Sequence, residues 1–255
     1  MPTALITGAT AGIGAEFARQ LADRGYDLVL VARDEARLQA YAEELHTESA
    51  TDVEILPADL ADREQTLLVA ARLEDQSRPV HLLVNNAGFG LRSTMLDPDT
   101  TLEERALDVM CRAVMILGNA AARSMKDRGR GIIINTSSVA GLMAMGNYSA
   151  IKAWVTAYSE SLATQLRKSG VTVTALLPGW VHTEFHDRAN INAKSIPDWA
   201  WIDKTVVVRD ALADAEKGKV LSVPTLGWRL AAAGAGVLPR GVIRWISSLV
   251  TSKRH

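Results

Sequence analysis

Short apolar runs alternate with longer stretches of helical periodicity along most of the 255 residues. The runs Ala4–Thr7, Asp27–Val31, Val53–Leu56, Leu82–Asn85, Gly131–Thr136 and Val171–Leu177 are rich in Val, Ile and Leu, as expected of parallel strands buried on both faces. Between them the spacing of apolar positions predicts helices over Gly14–Arg24, Glu35–Thr47, Arg63–Glu74, Thr101–Met125 and Ala150–Lys168. Repeated strand–helix units joined by right-handed crossovers give an α/β fold, a doubly wound parallel sheet with helices on both faces. Functional groups are then expected at the carboxyl ends of the strands. After Pro178 the pattern changes: residues 180–219 mix Trp, His, Asn, Lys and Pro, and from Thr225 the chain turns to Ala, Gly and Leu with scattered Arg. The whole is read as a single domain, with a core over residues 1–184 and a lid and tail over residues 185–255.

Composition narrows the function classes. Hydrophobic residues make up 48% and charged residues 22%, with a net charge of −1, the balance of a globular protein with no nucleic-acid partner. Cys111 stands alone, which excludes an intrachain disulfide and a thiolate zinc cluster and reads as a small buried hydrophobe. His46, His81, His182, His186 and His255 show no metal-ligand spacing, so no metal is expected. Met1-Pro2-Thr3 leads straight into the first strand, and no stretch reaches the ~18 apolar residues of a membrane span; the expectation is a cytoplasmic protein.

The chemistry gathers at the turns. The first strand runs into Thr7-Gly8-Ala9-Thr10-Ala11-Gly12-Ile13-Gly14 and then at once into a helix. Glycines let backbone N–H groups approach a pyrophosphate, with the positive end of the helix behind them. The second strand ends in Ala32-Arg33-Asp34. An NAD site usually places a carboxylate at Ala32, whereas an arginine at Arg33 can clamp a 2′-phosphate. NADP(H) is therefore expected. Asp59-Leu60 follows the third strand and suits an adenine amino group, though Asp is also common as a helix cap. Asn85-Asn86-Ala87-Gly88 closes the fourth strand, where it can brace the sheet and line a cofactor or be an ordinary turn. Ser138, after the fifth strand, can orient a carbonyl oxygen. Pro178-Gly179-Trp180-Val181-His182-Thr183 can hold a carboxamide through backbone amides and the Thr183 hydroxyl. Tyr148 and Lys152 lie four apart, on one face of a helix. An ammonium there lowers the phenol pKa and suits it to proton transfer.

In this order and spacing the motifs resemble the short-chain dehydrogenase/reductase family over roughly residues 4–185. The resemblance implies a Rossmann-type fold and a catalytic set of Ser138, Tyr148 and Lys152. It implies cofactor contacts from Gly8, Thr10, Ala11, Gly12, Ile13, Gly14, Arg33, Asp59, Leu60, Asn86, Ala87, Gly88, Tyr148, Lys152, Pro178, Gly179, Val181 and Thr183. In that reading Tyr148 is the general acid/base, Lys152 lowers its pKa and binds the nicotinamide ribose, and Ser138 holds the substrate oxygen. A homodimer or homotetramer is implied as well. Two positions depart from the family: Met110 stands where an Asn often holds a relay water, and Ser138 precedes Tyr148 by only ten residues, so the loop is short and the serine is open to displacement.

Phe185, Trp199, Trp201 and Trp228 imply an apolar substrate lining. Along the tail Val242, Ile243, Trp245, Ile246, Leu249 and Val250 fall on one broad helical side with Arg240, Arg244, Lys253 and Arg254 at its edges. That helix either packs on its own domain or a dimer partner, or makes peripheral contact with a membrane. The expected function is NADPH-dependent reduction of a ketone or aldehyde on a hydrophobic substrate, 3-oxoacyl-like or steroid-like. The alternatives are an alcohol dehydrogenase working oxidatively and an NADP(H)-binding regulator or scaffold with little turnover.

Overall fold

Every predicted strand pairs in parallel with its neighbours in the computed structural model, which describes residues 1–91, 95–182 and 200–252. The strands are β1 (Thr3–Thr7), β2 (Asp27–Ala32), β3 (Val53–Pro57), β4 (Leu82–Asn85), β5 (Gly131–Thr136), β6 (Val171–Leu176), β7 (Trp180–Val181), β8 (Trp201–Ile202) and β9 (Leu221–Ser222). The main sheet has seven strands in the order β3-β2-β1-β4-β5-β6-β9, and β7 and β8 form a separate pair. The order reverses between β1 and β4, which opens a crevice at their carboxyl ends.

The helices are α1 (Gly12–Asp23), α2 (Glu35–Ser49), α3 (Arg63–Glu74), α4 (Thr101–Leu107), α5 (Ala113–Asp127), α6 (Asn147–Gln165), α7 (Lys204–Glu216), α8 (Leu226–Val237) and α9 (Arg240–Ser252). Successive strand side chains point to opposite faces, and the core divides accordingly. Leu5, Val29, Leu83, Ile133 and Val173 meet α3, α5 and α6 on one face. Ala4, Ile6, Leu28, Val84 and Ile134 meet Phe17 and Leu21 of α1, Leu38 and Leu45 of α2, and Val207, Val208 and Leu212 of α7 on the other.

Two features differ from the sequence reading. The helix expected over Thr101–Met125 is interrupted by a π-helical turn at Asp108–Arg112. There Arg112 donates to the Asp108 carboxylate and to the Ala61 carbonyl, and Met110 is buried against Gly88, its sulfur 3.0 Å from where a Cβ on Gly88 would stand. The second difference lies in residues 185–255, expected as a lid and tail. Within them α7 belongs to the core, and β9 extends the sheet beside β6. Buried Asp214 ties these together, accepting from Ser222 Oγ at 2.9 Å and Lys219 Nζ at 2.6 Å. A two-residue strand has no periodicity to read, and its place follows from these buried contacts.

Candidate active site

The carboxyl ends of β1, β2, β4, β5 and β6 surround one cleft of about 1240 Å³. At its floor β1 turns through Gly8, whose φ of +65° is the left-handed region that favours glycine. A Cβ there would stand 2.9 Å from Ala87 Cα. The turn is fastened to β4: Asn86 Nδ2 donates to the Thr7 carbonyl at 3.1 Å, and Thr7 Oγ1 accepts from the backbone N–H groups of Asn86 and Ala87 at 3.0 and 3.1 Å. Asn85 joins a buried chain, donating to Asn135 Oδ1 at 2.9 Å, while Asn135 donates to Ser159 Oγ at 2.9 Å. Both amides thus brace the strands, and Asn86 also lines the cleft.

Several groups in the cleft point to an anionic dinucleotide. Helix α1 begins after Ala11, which offers no side-chain cap, so its first N–H groups are available to a phosphate. At the end of β2, Arg33 makes no hydrogen bond or ion pair among the described residues. Arg37 reaches back to the Thr10 carbonyl at 3.1 Å and is a cleft residue the sequence reading missed; Asp34 caps the helix that carries it by accepting from Arg37 N at 3.0 Å. Two residues expected from sequence as cofactor contacts also have work within the fold. Gly14 lies behind the cleft lining, and a Cβ there would stand 2.1 Å from the Gly8 carbonyl oxygen, so close packing requires glycine at this position. Asp59 lines the cleft, but one oxygen accepts from Ala61 N and the other from Arg105 Nη2 at 2.7 Å, and these bonds hold its carboxyl below the usual range against partial burial. Arg105, another missed residue, comes from a helix remote in sequence.

The catalytic candidates converge at the ends of β5 and α6. Lys152 is 4% exposed, and its Nζ donates to the Thr136 carbonyl at 2.8 Å and lies 5.6 Å from the centroid of the Tyr148 ring. It has no other hydrogen-bond partner among the described residues. Two of its three donors therefore remain for the hydroxyls of a ligand, and the residue lines the cleft. Burial pulls the Lys152 ammonium down to about 8. Burial also drives the Tyr148 phenol above its ordinary value, opposed only by a hydrogen bond with Ser138. The direction differs from the expectation that Lys152 lowers the Tyr148 pKa: desolvation of the phenol, which is half-buried in the cleft wall, raises it.

Ser138 is not displaced by the short loop. Its Oγ bonds Tyr148 and accepts from Ala140 N at 3.1 Å. The loop closes in ten residues by taking a tight path: a 3₁₀ turn over Val139–Leu142, then Gly146 at φ +89° opening α6. Gly141 makes that path fit, since a Cβ there would stand 2.8 Å from backbone atoms of both Lys152 and Ala153. Ser137 knits the same layer, donating to the Lys152 carbonyl at 2.7 Å.

The remaining wall is apolar. Leu142, Met143 and Met145 come from the loop, Trp180 from β7, and Trp228, Ala231, Ala232 and Ala235 from α8. The Trp228 indole lies against Gly179, where a Cβ would meet it at 2.2 Å, and donates to the Ala200 carbonyl at 3.1 Å. Its place as a cap on the Pro178-Gly179 turn had no local signal. Trp201 pairs in β8 and stacks on His182 at 4.4 Å between ring centroids. Thr183, Phe185, His186 and Trp199 lie outside the described residues. Cys111 is half-buried, its thiol pushed up to about 11. Among the described residues no cluster of three His, Cys, Asp or Glu side chains is placed to hold a metal.

A family model described as short chain dehydrogenase matches residues 2–194. A short-chain dehydrogenase from Sphingobium yanoikuyae, solved in complex with NADPH, superposes with a TM-score of 0.84 at 36% identity over 92% of this chain and 93% of that one. The bulky-bulky ketone specific alcohol dehydrogenase from Comamonas testosteroni superposes with a TM-score of 0.80 at 31% identity, covering 93% of each chain. Sulfoacetaldehyde reductase 2 of Chromohalobacter salexigens is 35% identical over 186 residues, 71% of this chain and 73% of that protein.

The contact of Gly141 with the α6 backbone yields a direct test. Gly141→Ala is expected to cost about 1–3 kcal/mol, as overpacking against backbone does. Urea unfolding would show it as a lowered midpoint at constant slope; an unchanged midpoint means the loop has slack and does not rely on that contact.

Proposed function

The chain belongs to the short-chain dehydrogenase/reductase family of oxidoreductases, and from that premise we propose that it reduces the ketone or aldehyde of a bulky hydrophobic substrate with NADPH. The observation that carries the proposal is the meeting of Ser138, Tyr148 and Lys152 in the same cleft as the glycine turn and Arg33. The reductive direction is supported by the protonation states. Burial keeps the Tyr148 phenol protonated at neutral pH, ready to donate. The Lys152 ammonium beside it stabilises the phenolate left behind.

A bound NADPH supplies hydride to the carbonyl carbon. Ser138 Oγ donates a hydrogen bond to the carbonyl oxygen and orients it, and Tyr148 Oη gives that oxygen its proton. The unused Lys152 donors hold the nicotinamide ribose. The amides at Ala11–Ile13 take the pyrophosphate, and Arg33 with Arg37 takes the 2′-phosphate, to which no carboxylate at Ala32 objects. Support for NADPH over NADH comes also from the cofactor in the Sphingobium structure. The apolar wall from Leu142 to Ala235 suits a large nonpolar substrate, in keeping with the bulky ketones named for the Comamonas enzyme. Met110, buried and without a polar group, favours a second reading as a cofactor-binding protein of low turnover. A homodimer or homotetramer is part of the proposal, supported by exposed Met115 and Trp154, which meet through Tyr158 on one side of α5 and α6.

A ketone panel with NADPH, followed by loss of reduced-nicotinamide absorbance, tests the reading. Turnover that falls by about 10²–10⁴-fold in Tyr148→Phe supports it; cofactor binding without turnover, the same in the variant, favours the second reading. In Arg33→Asp the KM for NADPH is expected to rise about ten- to a hundredfold more than that for NADH, the worth of a charged hydrogen bond. Equal changes defeat the assignment. The reductive kcat/KM is expected to hold steady below pH 8 and fall as the pH passes about 8, where Lys152 loses its proton. Lys152→Arg, charged throughout, should lose that limb; a wild-type profile level to pH 10 (the model-peptide value is about 10.4) shows the ammonium is not needed.

A further inference from the structure

The charges of this chain are segregated. After Glu216 there are seven cationic side chains (Lys217, Lys219, Arg229, Arg240, Arg244, Lys253 and Arg254) and not one carboxylate. Residues 1–216 keep the other 21 cations against all 29 carboxylates, a net charge of −8. The cationic segment carries α8 and α9.

Helix α8 is apolar on opposite sides. Trp228, Ala231, Ala232 and Ala235 line the cleft. At 100° per residue Leu226, Leu230 and Val237 fall on the reverse side, and they are 70%, 67% and 84% exposed. Pro239 follows that helix, and α9 begins at Arg240. Its inner side is anchored, with Ile243 and Ser247 buried and Ser247 Oγ accepting from Ala144 N at 3.0 Å. That anchor turns Trp245, 63% exposed, straight outward, with Arg240 and Arg244 exposed along one flank. A helix apolar all round belongs in a nonpolar surrounding, and an exposed apolar ridge rimmed by polar groups marks an interaction surface.

We propose that the outer sides of α8 and α9 dock on an anionic lipid surface, Leu226, Leu230, Val237 and Trp245 entering the headgroup boundary and Arg240 and Arg244 meeting lipid phosphates. The complementarity argues for lipid over a second copy of this chain: two such ridges face to face would oppose cation to cation. Among the described residues no helix is long and apolar enough to cross a membrane, so the helices lie along the surface. The proposal does not require the reductase reading, because partition onto vesicles needs no turnover.

The test is cosedimentation of the full chain with vesicles of phosphatidylcholine alone or mixed with phosphatidylglycerol. Partition onto the anionic vesicles, weakened by salt, is expected. Arg240→Ser with Arg244→Ser should lower it by about tenfold or more, each charge near the surface counting about fivefold, and Leu230→Asp with Trp245→Asp should abolish it. The arginine pair is exposed and tests the idea even should the second variant misfold. Absence of partition, or partition equal on neutral vesicles and unmoved by the arginine changes, overturns the proposal. So does an oligomer in solution that Leu230→Asp dissociates, which would assign the ridge to a second copy.

Discussion

A single ammonium withdrawn from water organises the end of the cleft where Ser138, Tyr148 and Lys152 meet. Lys152 is enclosed between α6 and the end of β5, and its charge is met by one carbonyl, that of Thr136. Removing an ion from water is expensive unless polar partners meet it, and here the enclosure shows as a pKa drawn down to about 8. The structure holds the residue there from several sides at once. Ser137 bonds its carbonyl, Thr156 bonds the same oxygen one turn on, and Gly141 brings the loop into contact with its backbone. The same enclosure governs Tyr148, whose phenol is kept protonated by burial and touched by the Ser138 hydroxyl.

The cleft around these groups is made from two kinds of material. Its floor is cross-tied: β1, β4 and β5 are joined through Thr7, Asn85, Asn86 and Asn135, whose side chains bond to backbone, to one another and to Ser159 of α6. Its roof is assembled from segments far apart in the chain. Arg105 comes over from α4 to Asp59, Trp228 comes down from α8 onto Gly179, and α9 reaches the loop between Ser138 and Tyr148 through Ser247. In the proposed reading, substrate choice rests on the apolar roof, with Met143, Met145 and Trp228.

Family membership and geometry agree on the class of chemistry and leave the particular substrate to the proposal. Relatives from Sphingobium and Comamonas share the fold over nearly the whole chain. The departures peculiar to this chain have physical outcomes. The ten-residue spacing from Ser138 to Tyr148 is accommodated by a 3₁₀ turn and two glycines, and Met110 fills the space beneath Gly88 from a π-helical turn.

Much of this was legible in the chain alone. Buried strands are recognisable from their apolar runs, the tight turn after β1 from glycines between a strand and a helix, and the shared helix face of Tyr148 and Lys152 from their four-residue spacing, because each signal lies within a few bonds of itself. What needed the tertiary structure was everything set by approach between distant segments. The sheet position of β9, the packing role of Gly14, the engagement of Asp59 with Arg105 and the seat of Trp228 on Gly179 carry no local mark. Nor does the direction of the Tyr148 shift. Spacing places an ammonium near a phenol, but only the packed surroundings decide how much water both have lost, and for Tyr148 that loss raises the pKa.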